Sequence, residues 1–302
     1  MGIARAQDEE SERREFEDFR KTLVALAATE RSKENDDFKG LMSSHIADLD
    51  LQLDKLVCVT SGVSFLGLAL VNCLLLRGYS VRILVDNQED VEKLREMQVS
   101  GEMMMACSNK ISVVIAKQTE IQGLMEAFDG CRGVFHTSAF VDPSGISGYS
   151  LWFALGKLKA EKVAWKIAEE MSLKLTTICP GLITGPQFSH RNPTATIAYL
   201  KGAQEMYAKG LLATVDVIRL AEAHVAVFEA MNKTAFGRYI CFDRIIARDE
   251  EAEKLASEIG IPPNRICGNS LEFIPTHFEL SNKKLNNLMS RTIRNWHGQS
   301  LP

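Results

Sequence analysis

The sequence predicts an α/β fold, a doubly wound parallel sheet followed by a smaller, mainly helical lobe. Three observations predict it. From Lys55 onward, short apolar runs alternate with helix-length segments. A glycine- and serine-bearing turn follows the first run, and beyond Pro186 the alternation gives way to helical spacing. Such alternation lays strands parallel, with helices on both faces. The 302 residues can bury a substantial core, and 46% hydrophobic with 25% charged residues is a globular composition.

Residues 1–53 form a charged extension. Between Glu9 and Glu34, Phe16, Phe19, Leu23 and Leu26 recur at three- and four-residue steps, the spacing of one amphipathic helix. A polar linker through Asp36 and Asp37 follows. The helix would dock on the domain or on a protein partner. Residues 54–185 read as the sheet domain and 186–302 as the second lobe.

Lys55 to Thr60 is a Val-rich run suited to a buried parallel strand. A helix over 65–76 follows and ends before Gly78. Strands are expected at 80–85, 111–116, 133–138 and 173–179, and helices at 91–97, 120–128 and 152–171. Later helices are expected at about 195–209, 217–231, 249–259 and 281–290, with one strand at 238–242.

A net charge of −4 without a basic stripe argues against nucleic acid as a partner. No apolar run reaches the length of a membrane span, and the N-terminus has no apolar signal region. A cytoplasmic chain is expected. The seven cysteines show no paired ligand spacing, so no metal is expected. Cys58, Cys73, Cys131, Cys179 and Cys241 read as reduced core thiols.

The turn after the first strand carries the first functional signal. Ser61, Ser64 and Gly67 match the spacing of a three-glycine dinucleotide fingerprint with two glycines replaced. In a Rossmann unit, Thr60, Ser61, Gly62, Ser64, Phe65, Leu66 and Gly67 would face a pyrophosphate at the helix N-terminus. The serine hydroxyls would donate to phosphate; a tight connection that binds nothing is the alternative. Asp86 ends the second strand, where an acidic group bonds ribose hydroxyls and repels a 2′-phosphate. It favours NAD over NADP, although an Asp-Asn pair also suits a plain turn.

With these stand Gly78-Tyr-Ser-Val-Arg82, Gly133-Val-Phe-His-Thr-Ser138, Trp152-Phe-Ala-Leu-Gly-Lys157, Ile178-Cys-Pro-Gly-Leu-Ile-Thr-Gly-Pro186 and Gly237-Arg-Tyr-Ile-Cys241. In this order, from about Lys55 to Asn287, the chain resembles the plant cinnamoyl-CoA reductase-like and dihydroflavonol reductase-like proteins, extended short-chain dehydrogenase/reductases of the phenylpropanoid type. The resemblance implies an oxidoreductase that uses NADP to reduce a small aromatic carbonyl or CoA thioester through a Ser, Tyr and Lys set. It places Lys157 at the catalytic lysine and Phe153 where the tyrosine should stand. The strand that ends in the serine has no counterpart between Val141 and Leu151, a gap of roughly 30 residues. Thr137, Ser138 and Pro180 would lie by the nicotinamide, and Thr184 would border its pocket. Lys93 is a retained phosphate-contacting position, and Lys117 replaces an adenine-contacting aspartate.

The substitutions have chemical weight. A reduced carbonyl oxygen needs a proton donor, and removing general acid catalysis costs about 10²–10⁴-fold. Phe153 and Lys157 are about 6 Å of helical rise apart, on one face, yet phenylalanine cannot donate a proton. Tyr149, about 12 Å of rise from Lys157, is too remote. Thr137 and Ser138 are better placed but not easily ionised. His136 reads as a core histidine facing the sheet, and His224 as structural. The missing unit leaves two outcomes for the sheet: residues 173–179 pair directly with the fourth strand, or strand edges stay unpaired. Three functions stay open: a reductase, a catalytically silent dinucleotide- or protein-binding relative, and a truncated splice product.

Overall fold

Four short runs rich in β-branched residues build the first sheet: β1 (Leu56–Val59), β2 (Ser80–Val85), β3 (Ile111–Ile115) and β4 (Gly133–Phe135). All pair in parallel, in the order β3-β2-β1-β4. The computed structural model describes residues 55–104, 109–137, 149–186, 203–268 and 279–297, with the side chains of all but 149–155 and 292–297. The N-terminal helix expected over Glu9 to Glu34 lies outside the described residues.

Helix α1 (Phe65–Leu76) is apolar on nearly every side and buries Leu70, Val71 and Leu74. Fully burying such a side chain contributes about 1.5–3 kcal/mol. The helix stops at Arg77, because Gly78 turns the chain with φ +79°, a conformation that glycine adopts at little cost. Helix α2 (Gln88–Val99) starts earlier than its apolar spacing suggests. Asn87 caps it by accepting from the Asp90 N–H at 3.0 Å, with Glu89 and Asp90 in the first turn. Helix α3 (Ile121–Phe128) is tied to β2 by Arg82, whose guanidinium donates to the carbonyls of Glu126, Ala127 and Asp129.

The remaining elements are α4 (Tyr149–Glu170), β5 (Thr176–Pro180), β6 (Leu182–Thr184), α5 (Ala203–Ala208), β7 (Ala213–Asp216), α6 (Val217–Ala230), β8 (Gly237–Cys241), β9 (Arg244–Ile245), α7 (Asp249–Ile259), α8 (Asn264–Cys267) and α9 (Lys283–His297). Strands β5 and β8 form a parallel pair. Strand β7 pairs parallel with β6 and antiparallel with β9. Strands β6, β7 and β9 escape sequence reading because two to four residues cannot display a period of two.

Direct pairing of the fourth strand with the run after α4 does not occur. Among the described residues β4 bonds only to β1, and β5 bonds only to β8. Val134 on β4 is 43% exposed, and no residue of β5 is fully buried. What spans the two parts is α6, which packs along α1. Its Phe228 ring lies 5.0 Å from that of Phe135 and 6.1 Å from that of Tyr79. Gly133 makes room for it, since a β-carbon there would come within 2.3 Å of the Phe228 ring. One apolar core accordingly runs from Val57 and Leu70 through Leu182 and Val225 to Leu255 and Ile266.

The described cysteines are free thiols. Burial pushes Cys58 and Cys241 up to about 12 and Cys73 to about 11, so each stays a neutral thiol. Among the described residues no helix is long and apolar enough to cross a membrane.

Candidate functional site

Strand β1 delivers the chain into the turn, and α1 leaves it. The Ser64 hydroxyl caps α1 by accepting from the Gly67 N–H at 3.0 Å, and it donates its own proton to the Ser61 carbonyl at 2.8 Å. The Ser64 N–H reaches the same carbonyl at 3.0 Å. In this structure the Ser64 hydroxyl proton, expected to face a phosphate, is held inside the turn. The Leu66 N–H has no partner among the described residues, and it points along the positive end of the helix dipole. Gly67 is required, since a β-carbon would stand 1.8 Å from the Ser61 carbonyl oxygen. Gly62 lies against Ile83, whose Cγ2 would be 2.5 Å from an added β-carbon.

At the end of β2, Asp86 is exposed and its carboxylate has no partner among the described residues. Lys93, one turn into α2, bonds Glu89 at 3.0 Å and Asp90 at 3.2 Å. These hydrogen bonds, Glu89's first, raise its pKa. Lys117 is exposed and lies in the turn closed by its own N–H to Glu120.

The end of β4 differs from the expectation in one respect. His136 does not sit in the core: it is exposed, and its Nδ1 lies 3.1 Å from the Thr60 hydroxyl. Alternation along β4 carries the signal for this, since His136 falls on the side of exposed Val134, opposite buried Phe135. Although part of its surface is open, crowding by protein lowers the His136 pKa, and the Lys157 charge lowers it further. The Lys157 ammonium is itself depressed by desolvation. Lys157, His136 and Thr60 are thus gathered at the carboxyl ends of β1 and β4. Beside them the Thr137 hydroxyl is buried and has no hydrogen-bond partner among the described residues, a group that a bound ligand could meet. Ser138 lies outside the described residues.

Helix α4 carries Phe153 and Lys157 in one continuous stretch; the side chains of Phe153 and Tyr149 lie outside the described set. One turn beyond Lys157, Glu161 accepts from Thr177 at 2.7 Å and from Arg238 at 2.8 and 2.6 Å. It fixes α4 to both β5 and β8. Arg238 is the main cause of its lowered pKa. Pro180 is exposed at the end of β5. Thr184 borders a cleft of about 570 Å³ with Asp216, Asp243, Arg244 and Glu258. Gly185, also in its wall, would bring a β-carbon 3.4 Å from the Phe65 ring, so the cleft adjoins the turn. His224 is structural as expected: its Nδ1 donates to the Leu220 carbonyl at 2.7 Å, and burial lowers its pKa.

No protein-family model matches the chain. Cinnamoyl-CoA reductase 1 of Petunia hybrida is 27% identical over 299 residues, covering 78% of this chain and 86% of its own. Tetraketide alpha-pyrone reductase 1 of Arabidopsis thaliana is 25% identical, covering 75% of this chain and 85% of its own. Since 78% of 302 residues is about 236, roughly sixty of the 299 Petunia-aligned positions have no residue in this chain. Among solved structures, yeast methylglyoxal/isovaleraldehyde reductase Gre2, complexed with NADPH, superposes with a TM-score of 0.51 at 18% identity. That match covers 81% of this chain and all of Gre2. The chain is therefore similar over most of its length to cinnamoyl-CoA and tetraketide alpha-pyrone reductases, and its fold is of the Rossmann type.

Proposed function

We propose that the chain is a reductase-like protein that binds a nicotinamide dinucleotide but reduces carbonyl or thioester substrates poorly or not at all. The observation that carries this reading is the pairing of an intact turn with a broken catalytic set. Gly67 still holds α1 against Ser61, and the Lys157 charge still acts on His136, whose chain neighbour Thr137 has a buried hydroxyl without a partner among the described residues. By the resemblance Phe153 falls at the tyrosine position, and residues 136–148 between β4 and α4 are fewer than the strand–helix unit that would bring the serine requires.

The residues that would hold the dinucleotide are those of the turn, with Leu66 N–H toward the pyrophosphate and Lys157 and Thr137 toward the nicotinamide side. Such a group would supply a hydride when bound. This chain's own part is to bind and orient it, and at the receiving oxygen it lacks a readily ionised proton donor. Support for NAD over NADP comes from β2 and α2. Asp86 is free to accept two ribose hydroxyls, and Lys93 would have to leave Glu89 and Asp90 to meet a 2′-phosphate. Likeness to cinnamoyl-CoA reductases suggests an aromatic thioester or carbonyl as the compound the cleft beside Thr184 would admit.

Calorimetric titration with NADH and NADPH, with a turnover assay on aromatic aldehydes and hydroxycinnamoyl-CoA thioesters, tests the reading. Saturable NADH binding without turnover is the expected result. Turnover at the ordinary enzyme rate of about 10 s⁻¹ would overturn it.

A further inference from the structure

A second cleft lies at the other end of α1 from the turn. Ser64 caps the helix at the turn, and beyond its twelve residues the C-cap Arg77 reaches Glu229 at 3.9 Å. Glu229 is a wall residue of a cleft of about 560 Å³. Twelve residues of helix rise about 18 Å, so the two places are well separated. The cleft's other walls are the segment from Ala230 to Phe236, Tyr239 at the core of β8, and one face of α9. Lys284, Asn287, Leu288 and Arg291 supply that face at helical spacing.

The lining combines apolar surface with uncommitted positive charge. Phe236 is 72% exposed, which is uncommon for a phenylalanine. The Lys284 ammonium lies 4.8 Å from the Phe236 ring centre and 4.1 Å from that of Tyr239, and it donates to the Phe236 and Arg238 carbonyls. It is thus held in place with its charge un-neutralised. Lys233 and Arg291 have no side-chain partner among the described residues. The one acidic wall residue, Glu229, is already faced by Arg77. Three cations, an aromatic wall and a ligand-sized volume suit a small molecule with a flat apolar body and one negative charge.

We propose that this cleft is a ligand site separate from the dinucleotide turn, which takes a flat aromatic monoanion, a carboxylate or a sulfonate. The ring lies along Phe236 and Leu288, and the anion meets Lys233 and Arg291. Occupancy does not depend on the turn.

The test is calorimetric titration of the full chain with naphthalene-2-sulfonate, with and without saturating NADH. Binding is expected to saturate at one molecule per chain, with the same affinity in both conditions. The combined Lys233→Ala and Arg291→Ala variant should weaken it at least about tenfold, and Phe236→Ala should weaken it severalfold. All three side chains are exposed, so the variants keep the fold, which an unfolding curve checks. The uncharged naphthalene-2-sulfonamide, which needs no variant, should bind at least about tenfold more weakly. Failure of the sulfonate to saturate, equal binding by the double variant, or displacement by NADH would each overturn the proposal.

Discussion

The carboxylate of Glu161 holds the guanidinium of Arg238 through two hydrogen bonds, at 2.8 and 2.6 Å. Through this fork the helix that carries Lys157 is fastened to the β5–β8 pair, which among the described residues shares no hydrogen-bonded edge with β4. Glu161 is 17% exposed, but Arg238 is 51% exposed, so screening discounts the bond. Replacement of Glu161 by glutamine is expected to cost about 1 kcal/mol, read from urea unfolding. Because the Glu161 pKa is lowered in the fold, its contribution is complete above the ordinary carboxyl value of 4.5 and is lost as pH falls through the folded value. The variant should lose that acid-side slope. An unchanged pH profile would show that the fork holds nothing.

The two turn glycines should respond very differently to alanine. At Gly67 the new methyl would meet a backbone oxygen at 1.8 Å, whereas at Gly62 it would meet the Cγ2 methyl of the buried Ile83 side chain at 2.5 Å. Gly67→Ala should cost about 3 kcal/mol or more, and Gly62→Ala about 1 kcal/mol, because a side chain can shift where a capped turn cannot. Equal costs in urea unfolding would contradict the packing assigned to the turn.

Restoring the tyrosine alone should not restore turnover. Phe153→Tyr returns a phenol one turn from Lys157, but residues 136–148 between β4 and α4 are too few for the strand–helix unit that would carry the serine, and among the described residues β4 and β5 share no hydrogen bond. The expected outcome is no gain in a reductase assay. A rise of about 10²-fold or more would mean that the phenol was the single missing part.

Two histidines make the fold sensitive to mild acid. Burial lowers the pKa of both His224 and His136, with the Lys157 charge adding to the second. Each therefore stabilises the fold fully above the unfolded value of about 6.5. That contribution is lost as pH falls from there through the folded values. Urea midpoints should be flat near neutrality and decline below about pH 6.5, and His224→Gln should flatten the decline. A midpoint that rises on acidification would reverse the assigned sign.

Much of the sheet half was legible because its signals are local. The Val-rich run before the turn, the mostly apolar twelve residues of α1 and the glycine after Arg77 each name their own structure. Asn87 was the signal that α2 begins at Gln88, although apolar spacing alone started it at Val91. The site was legible as a place but less so as a set of bonds. No spacing rule shows that the Ser64 hydroxyl turns inward to Ser61, and a histidine in an apolar run looks like core until alternation is counted from Phe135. Strands β6, β7 and β9 were hidden because each is held by partners distant in sequence rather than by its own pattern. The same holds for Phe228, whose seat on Gly133 joins residues far apart in the chain.

The central claim is that this chain still binds a dinucleotide at its altered turn. A thermal unfolding curve of the purified chain, alone and with saturating NADH or NADPH, tests it most directly. Ligand at about 100 times its Kd stabilises by about 2.7 kcal/mol, a rise of roughly 4 °C for a chain of this size. A single cooperative transition raised by that amount with NADH, and less with NADPH, is the predicted result. A transition that neither dinucleotide moves would contradict the account.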